Sequence, residues 1–166
     1  MRRGLLLLWA VLVAFAVVPS ATATKPEREL VPPPGDMLIT GQCAFAVLAH
    51  IEGGEIDKTF FDREGNVVKQ IGTFPGQSLT VTNLDTEQSI TVTNAGSFHA
   101  RAERDGSITI SINGHGPLPN DIVGEPGLWY LDGGHVFVTL DEDGNPTSIV
   151  VRGNVVNLCD RLAPAG

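Results

Sequence analysis

The chain has 166 residues, 42% hydrophobic, 18% charged and 6% aromatic, with a formal net charge of −8. That length holds one domain with a buried core, and the apolar content excludes an intrinsically disordered polypeptide. The negative charge argues against DNA, RNA and anionic lipid as partners, because phosphate neutralisation by basic side chains supplies most of that affinity.

Met1 to Ala23 reads as a secretory signal peptide. Arg2 and Arg3 form a positive n-region, Leu5 to Val18 an apolar h-region, and Ala21-Thr22-Ala23 a small-x-small cleavage pattern. The apolar run is shorter than the roughly 20 residues a helix needs to cross a bilayer core, so no stable membrane anchor is expected after cleavage. The removed segment has two basic residues and no acid, so the mature net charge becomes −10. A soluble exported protein is the expectation, with extracellular location.

Residues 24–37 form a Pro-rich leader around Pro32-Pro33-Pro34-Gly35, where proline excludes helix and central strand. A single β domain is expected over 38–160 and a tail over 161–166. Beyond the leader, Val, Ile and Thr outnumber Ala, Leu, Lys and Met, a bias towards strand. Gln42 to Ile51 alternates, with Cys43, Phe45, Val47, Ala49 and Ile51 on one face, and Gly53-Gly54 ends that strand. Ile56–Phe61 and Val67–Phe74 flank the hairpin turn Asp62-Arg63-Glu64-Gly65-Asn66, and Pro75-Gly76 turns the chain. The pair Leu79–Asn83 and Ile90–Asn94 follows, then Phe98–Glu103 and the clean alternation of Ile108, Ile110 and Ile112. Asn113 to Gly127, rich in Gly and Pro, reads as a long loop. Leu128–Leu131, Val136–Leu140, Thr147–Val151 and Val155–Cys159 complete the domain.

The only two cysteines, Cys43 and Cys159, are expected to form one disulfide in an exported chain. Their alpha-carbons must then lie within about 7 Å, making the ends of the domain neighbours. The fold class is all-β, an antiparallel meander of about eight to ten strands, and the disulfide favours a closed barrel over a sandwich. Cys43 would start its strand and Cys159 end its own.

No motif fixes a reaction. His50, His99, His115 and His135 stand at no metal-ligand spacing, so no metal and no cofactor are expected. Asp141-Glu142-Asp143-Gly144-Asn145 departs from the calcium-loop spacing and reads as a hairpin turn. Trp129 and Tyr130, the large aromatics beside the long loop, are candidate ligand-binding residues, against core packing for one ring and a rim position for the other. The inward faces assigned from alternation are almost wholly apolar, apart from Lys58 and Lys69.

The set Cys43-Ala-Phe45-Ala-Val47, Thr82-Asn83-Leu84-Asp85-Thr86, Asp143-Gly144-Asn145 and Val155-Val156-Asn157-Leu158-Cys159 resembles a family of small secreted β-rich proteins of actinomycetes. The resemblance spans about residues 40 to 160 and implies export and the disulfide; it attaches no activity and no catalytic residue. The leading functional expectation is a non-catalytic secreted β-barrel that binds a small, partly apolar ligand or a surface partner. The alternatives are a hydrolase or isomerase with its site in the barrel, marked by convergence of His50, His99, Glu103 or Asp121, and a structural or adhesive surface module.

Overall fold

Short alternating runs separated by acidic Gly-Asn turns give hairpins. In two of those turns an aspartate closes the loop: Asp62 Oδ1 accepts from the N–H of Glu64 (3.0 Å) and Asn66 (2.8 Å), and Asp141 Oδ1 from Asp143 (3.0 Å) and Asn145 (2.8 Å). The computed structural model describes residues 25–164. The signal-peptide segment lies outside them, as do the first residue of the leader and the last two of the tail. The elements are β1 (Glu27–Val31), β2 (Met37–Ile39), β3 (Val47–Glu52), β4 (Glu55–Phe61), β5 (Val67–Thr73), β6 (Ser78–Asn83), β7 (Ser89–Thr93) and β8 (Gly96–Ala102). β9 (Ile108–Leu118), α1 (Asn120–Val123), β10 (Trp129–Leu140), β11 (Pro146–Asn157) and α2 (Leu158–Leu162) follow. No helix among the described residues is long and apolar enough to cross a membrane.

All pairings are antiparallel, in a seven-stranded sheet ordered β1-β4-β5-β8-β9-β10-β11 and a four-stranded sheet ordered β2-β3-β6-β7. The two sheets share arms. β3 runs into β4 through Gly53-Gly54, β5 into β6 through Phe74–Gln77, and β7 into β8 through Asn94-Ala95. The β4–β5 register continues as β3–β6, and β5–β8 as β6–β7, displaced by one residue at the corner. The meander is therefore a run of long hairpins folded along one crease. The same crease crosses the other strands at Gly96, Gly114, Gly134 and Gly153, which lie side by side in register. These glycines have no room for a side chain: a Cβ on Gly114 would stand 2.5 Å from the Ala95 carbonyl oxygen, and one on Gly153 2.4 Å from that of Gly133. β10 carries a bulge between Leu131 and Gly134 at this level, which sharpens the bend.

The all-β antiparallel expectation holds, but several details differ. The pairings of the described residues do not join the outer strands of either sheet, so they do not close the expected barrel. The expected loop from Asn113 begins as strand, because Gly114 is a crease residue; beyond His115, whose N–H donates to the Ala95 carbonyl at 3.0 Å, β9 pairs with β10 alone, so Pro117 loses no bond to a second neighbour. Asp132-Gly133-Gly134 is a bulge inside β10 rather than a turn, and β11 is continuous through Gly153. The leader is partly ordered, with β1 paired to β4.

The disulfide joins Cys43 and Cys159 with alpha-carbons 5.4 Å apart. Neither cysteine sits as expected: Cys43 does not start a strand but lies in the segment ahead of β3, and Cys159 does not end one but lies in the first turn of α2, where Asn157 Oδ1 accepts its N–H at 3.0 Å and caps the helix. Leu158 and Leu162 of α2 enter a core with Val47 and Ala49 of β3, Leu79 and Val81 of β6, and Tyr130 of β10. Buried Asn83 donates to the Leu162 carbonyl at 2.9 Å, fastening the helix to the smaller sheet. A second core, Leu118, Leu131, Val136 and Val138, lies along β9–β11.

Two substitutions separate the crease from ordinary turns. Gly114→Ala, with φ +108° and a carbonyl in the way, is expected to cost roughly 3 kcal/mol or more in denaturant unfolding, whereas Gly144→Ala, with open space, costs about 1–2 kcal/mol. Replacing both cysteines by serine releases a closure spanning a sequence separation of 116 and is expected to lower stability by about 4–5 kcal/mol in the same measurement.

Candidate functional site

Residues directly opposite in antiparallel strands point to the same side of the sheet. Register therefore defines two rows across the larger sheet: Asp57, Gly72, Phe98, Ile112, Val136 and Val151, and next to it Thr59, Gln70, Ala100, Ile110, Val138 and Ile149. Val136 and Val138 are buried, so this is the interior face. It is apolar from β8 to β11 and polar on β4 and β5.

The polar end is a small network. Glu55 and Asp57, two apart on β4, share the face. Gln70 Nε2 donates to Asp57 Oδ2 at 3.2 Å. Gly72 makes room: a Cβ there would lie 2.5 Å from Glu55 Oε1 and 2.1 Å from the Phe98 ring, so the carboxyl and the ring occupy the space above it. Burial, then the hydrogen bond and charge of Asp57, push the Glu55 carboxyl up to about 7. The Glu55 carboxyl is thus partly protonated at neutral pH. Asp57 Oδ1 and Gln70 Oε1 are shielded from solvent, and no N–H, amide or alcohol group among the described residues donates to either. These two acceptors lie at the margin of the apolar face.

The sequence pattern put Ile56, Lys58 and Phe60 inward, with Lys69 and Ile71 opposite. These residues occupy the other face, where the Lys69 ammonium lies 5.6 Å from the Phe60 ring centre. Trp129 and Tyr130, being consecutive on β10, diverge. Tyr130 is 2% exposed in the core of the smaller sheet, its hydroxyl donating to the Thr93 carbonyl; Trp129 packs with the second core, its indole N–H donating to the Glu125 carbonyl at 3.0 Å. Both polar atoms are thus engaged by the protein's own backbone.

Nor do the four marker residues converge. His50 is exposed beside Asp36 and Glu52, and its hydrogen bond with Asp36 raises its pKa above the ordinary imidazole value. Glu103 accepts from Thr109 Oγ1 at 2.9 Å, Asp121 lies in α1, and His99 lies opposite Ser111. No hydrogen bond or ion pair among the described residues joins any two of them. His135 bonds to Asn113, and His115 lies beside the β10 bulge with Nδ1 3.5 Å from Asp132 Oδ1. Asp141, the calcium-loop candidate, spends its oxygens on its own turn.

The chain matches no protein-family model, no curated protein and no solved structure. Function therefore has to be argued from this geometry.

Because Glu55 titrates higher when folded, its protonated form favours the fold: that contribution is complete below about pH 4.5 and is lost as pH rises through about 7. Asp62, Asp105 and Asp141, lowered chiefly by turn hydrogen bonds, act in the opposite sense and only as pH falls below their ordinary value of 3.8. Melting temperature should thus decline from pH 4.5 to 7.5, and Glu55→Gln should flatten that decline; an unchanged slope in the variant would remove Glu55 as its source.

Proposed function

We propose that the protein is a secreted, non-catalytic binding module whose folded meander acts as an incompletely closed barrel. Its ligand is a small molecule with an apolar body and a hydrogen-bond donor, a hydroxyl or an amine. The observation that carries this reading is the pair of shielded acceptors, Asp57 Oδ1 and Gln70 Oε1, to which no N–H, amide or alcohol of the described residues donates, at the polar end of an otherwise apolar interior face. The apolar body would lie along the half-buried Phe98, Ile110 and Ile112, and the donor would meet the two acceptors. Leaving such groups unmet costs about 1–3 kcal/mol each, which a donating ligand would recover. Secretion is supported by the n-region, h-region and cleavage pattern, the disulfide, and the resemblance to exported actinomycete proteins.

One observation favours a second reading. The half-buried Glu55 carboxyl beside Asp57, pushed up to about 7, can give and take a proton at neutral pH, as an isomerase or hydrolase requires. The two readings differ in whether a bound compound emerges changed.

Thermal-shift titration of the purified protein with medium-chain alcohols and the matching amines tests the binding reading. A saturable rise in melting temperature is expected, with Gln70→Leu weakening affinity by about five- to tenfold, the effect of one lost hydrogen bond. Absence of a shift with any member of either series would overturn it. A stronger response to the amines would identify a cationic head, and mass spectrometry of the recovered probe separates binding from turnover.

A further inference from the structure

Four strands are outermost in the two sheets, and three have their edges blunted. β1 carries Glu27, Arg28 and Glu29 along its five residues; β2 has three residues; β7 has five and lies beside α2. β11 is different. It runs for twelve residues, pairs only with β10, and contains one charged side chain, Arg152. No turn, loop or cap hydrogen bond of the described residues uses the backbone of Pro146 to Asn157. A long edge with a single charged side chain is a template for another strand.

We propose that β11 pairs antiparallel with β11 of a second copy, making a two-fold symmetric dimer with one continuous sheet. Three features select a second copy of this chain as the occupant. First, the chain carries a net charge of −8, while β11 has no acid, so this edge is where two copies approach without carboxylate repulsion. Second, the strand is self-complementary about Val150: Val150 meets its own copy, and each Arg152 falls opposite the partner's Ser148 rather than another arginine. Third, Val150 and its cross-strand neighbour Phe137 are 40% and 38% exposed on the same outer face. Pairing about Val150 would assemble two valines and two phenylalanines into one apolar cluster over the seam, with His135 stacked beside Phe137 at 6.4 Å.

Sedimentation velocity or light scattering of the mature protein across micromolar concentrations tests this. Wild type is expected as a dimer, and Val150→Lys, which sets two ammonium groups against each other at the two-fold, should weaken association by at least about a hundredfold while leaving the melting curve of the monomer unchanged. Val150→Cys, in a chain whose own cysteines are paired, should form an intermolecular disulfide and run as a covalent dimer without reductant. A monomeric wild type throughout the range overturns the proposal. So does a dimer that Val150→Lys leaves intact and Val150→Cys fails to cross-link, since its interface would lie elsewhere.

Discussion

The fold depends on bending neighbouring strands at one level. A flat antiparallel sheet of these long hairpins would expose both faces and enclose nothing. Here every arm turns at the crease, and where the strands continue through it the neighbouring backbones come too close for any Cβ. The corner between the β5–β6 and β7–β8 arms also has to satisfy the peptide groups that the bend removes from the ladder. It does so with Phe74 N–H to the Gly96 carbonyl and Asn94 N–H to the Gln77 carbonyl, at 3.0 and 2.8 Å, and with the buried Asn94–Gln77 side-chain amide pair between them. Polar side chains are buried there because the crease strips backbone groups of partners.

The bend alone leaves the smaller sheet uncovered at its inner face, and the C-terminal segment supplies the cover. α2 has only five residues, too few to be stable by itself. Tertiary contacts hold it: Leu158 and Leu162 are buried, Asn157 caps its start, the Asn83 and Gln88 side chains donate to its last carbonyls, and Cys159 is bonded to the segment ahead of β3. The two termini of the domain are thus stapled together, as the cysteine spacing implied. The join is between helix and loop rather than between two strands.

This explains what could be read from the residues and what could not. Alternation and Asp-Gly-Asn turns gave the hairpins, and the cysteine pair gave the proximity of the ends. Glycine was misleading, because locally Gly133-Gly134 has the same signature in a turn and in a bulge; only the register with Gly114 and Gly153 distinguishes them. The Leu-Cys-Asp-Arg-Leu helix is too short to show a period. The interior site was concealed by an ambiguity on β4, where Ile56 and Phe60 alternate with Glu55, Asp57 and Thr59. Apolar content favoured burying the first set, yet Lys69 covers Phe60 on the outer face. The surviving signal was Gly72, an isolated glycine in a strand, which marks close approach of another group: here the Glu55 carboxyl and the Phe98 ring.

That inversion has an energetic meaning. With acids in such excess, a carboxylate reaches water at no cost almost anywhere on the surface, whereas burying one beside another raises its pKa and opposes its ionisation. Leucine and valine at 55 and 57 would extend the apolar rows to β4 and remove the penalty. Gln70 adds to the cost by giving Asp57 one hydrogen bond while leaving its own oxygen unmet. Folding alone accounts for neither choice, since a wholly apolar row would serve it better. The donor-bearing ligand proposed above would account for both, because it would satisfy the two acceptors in the surroundings where a hydrogen bond counts most.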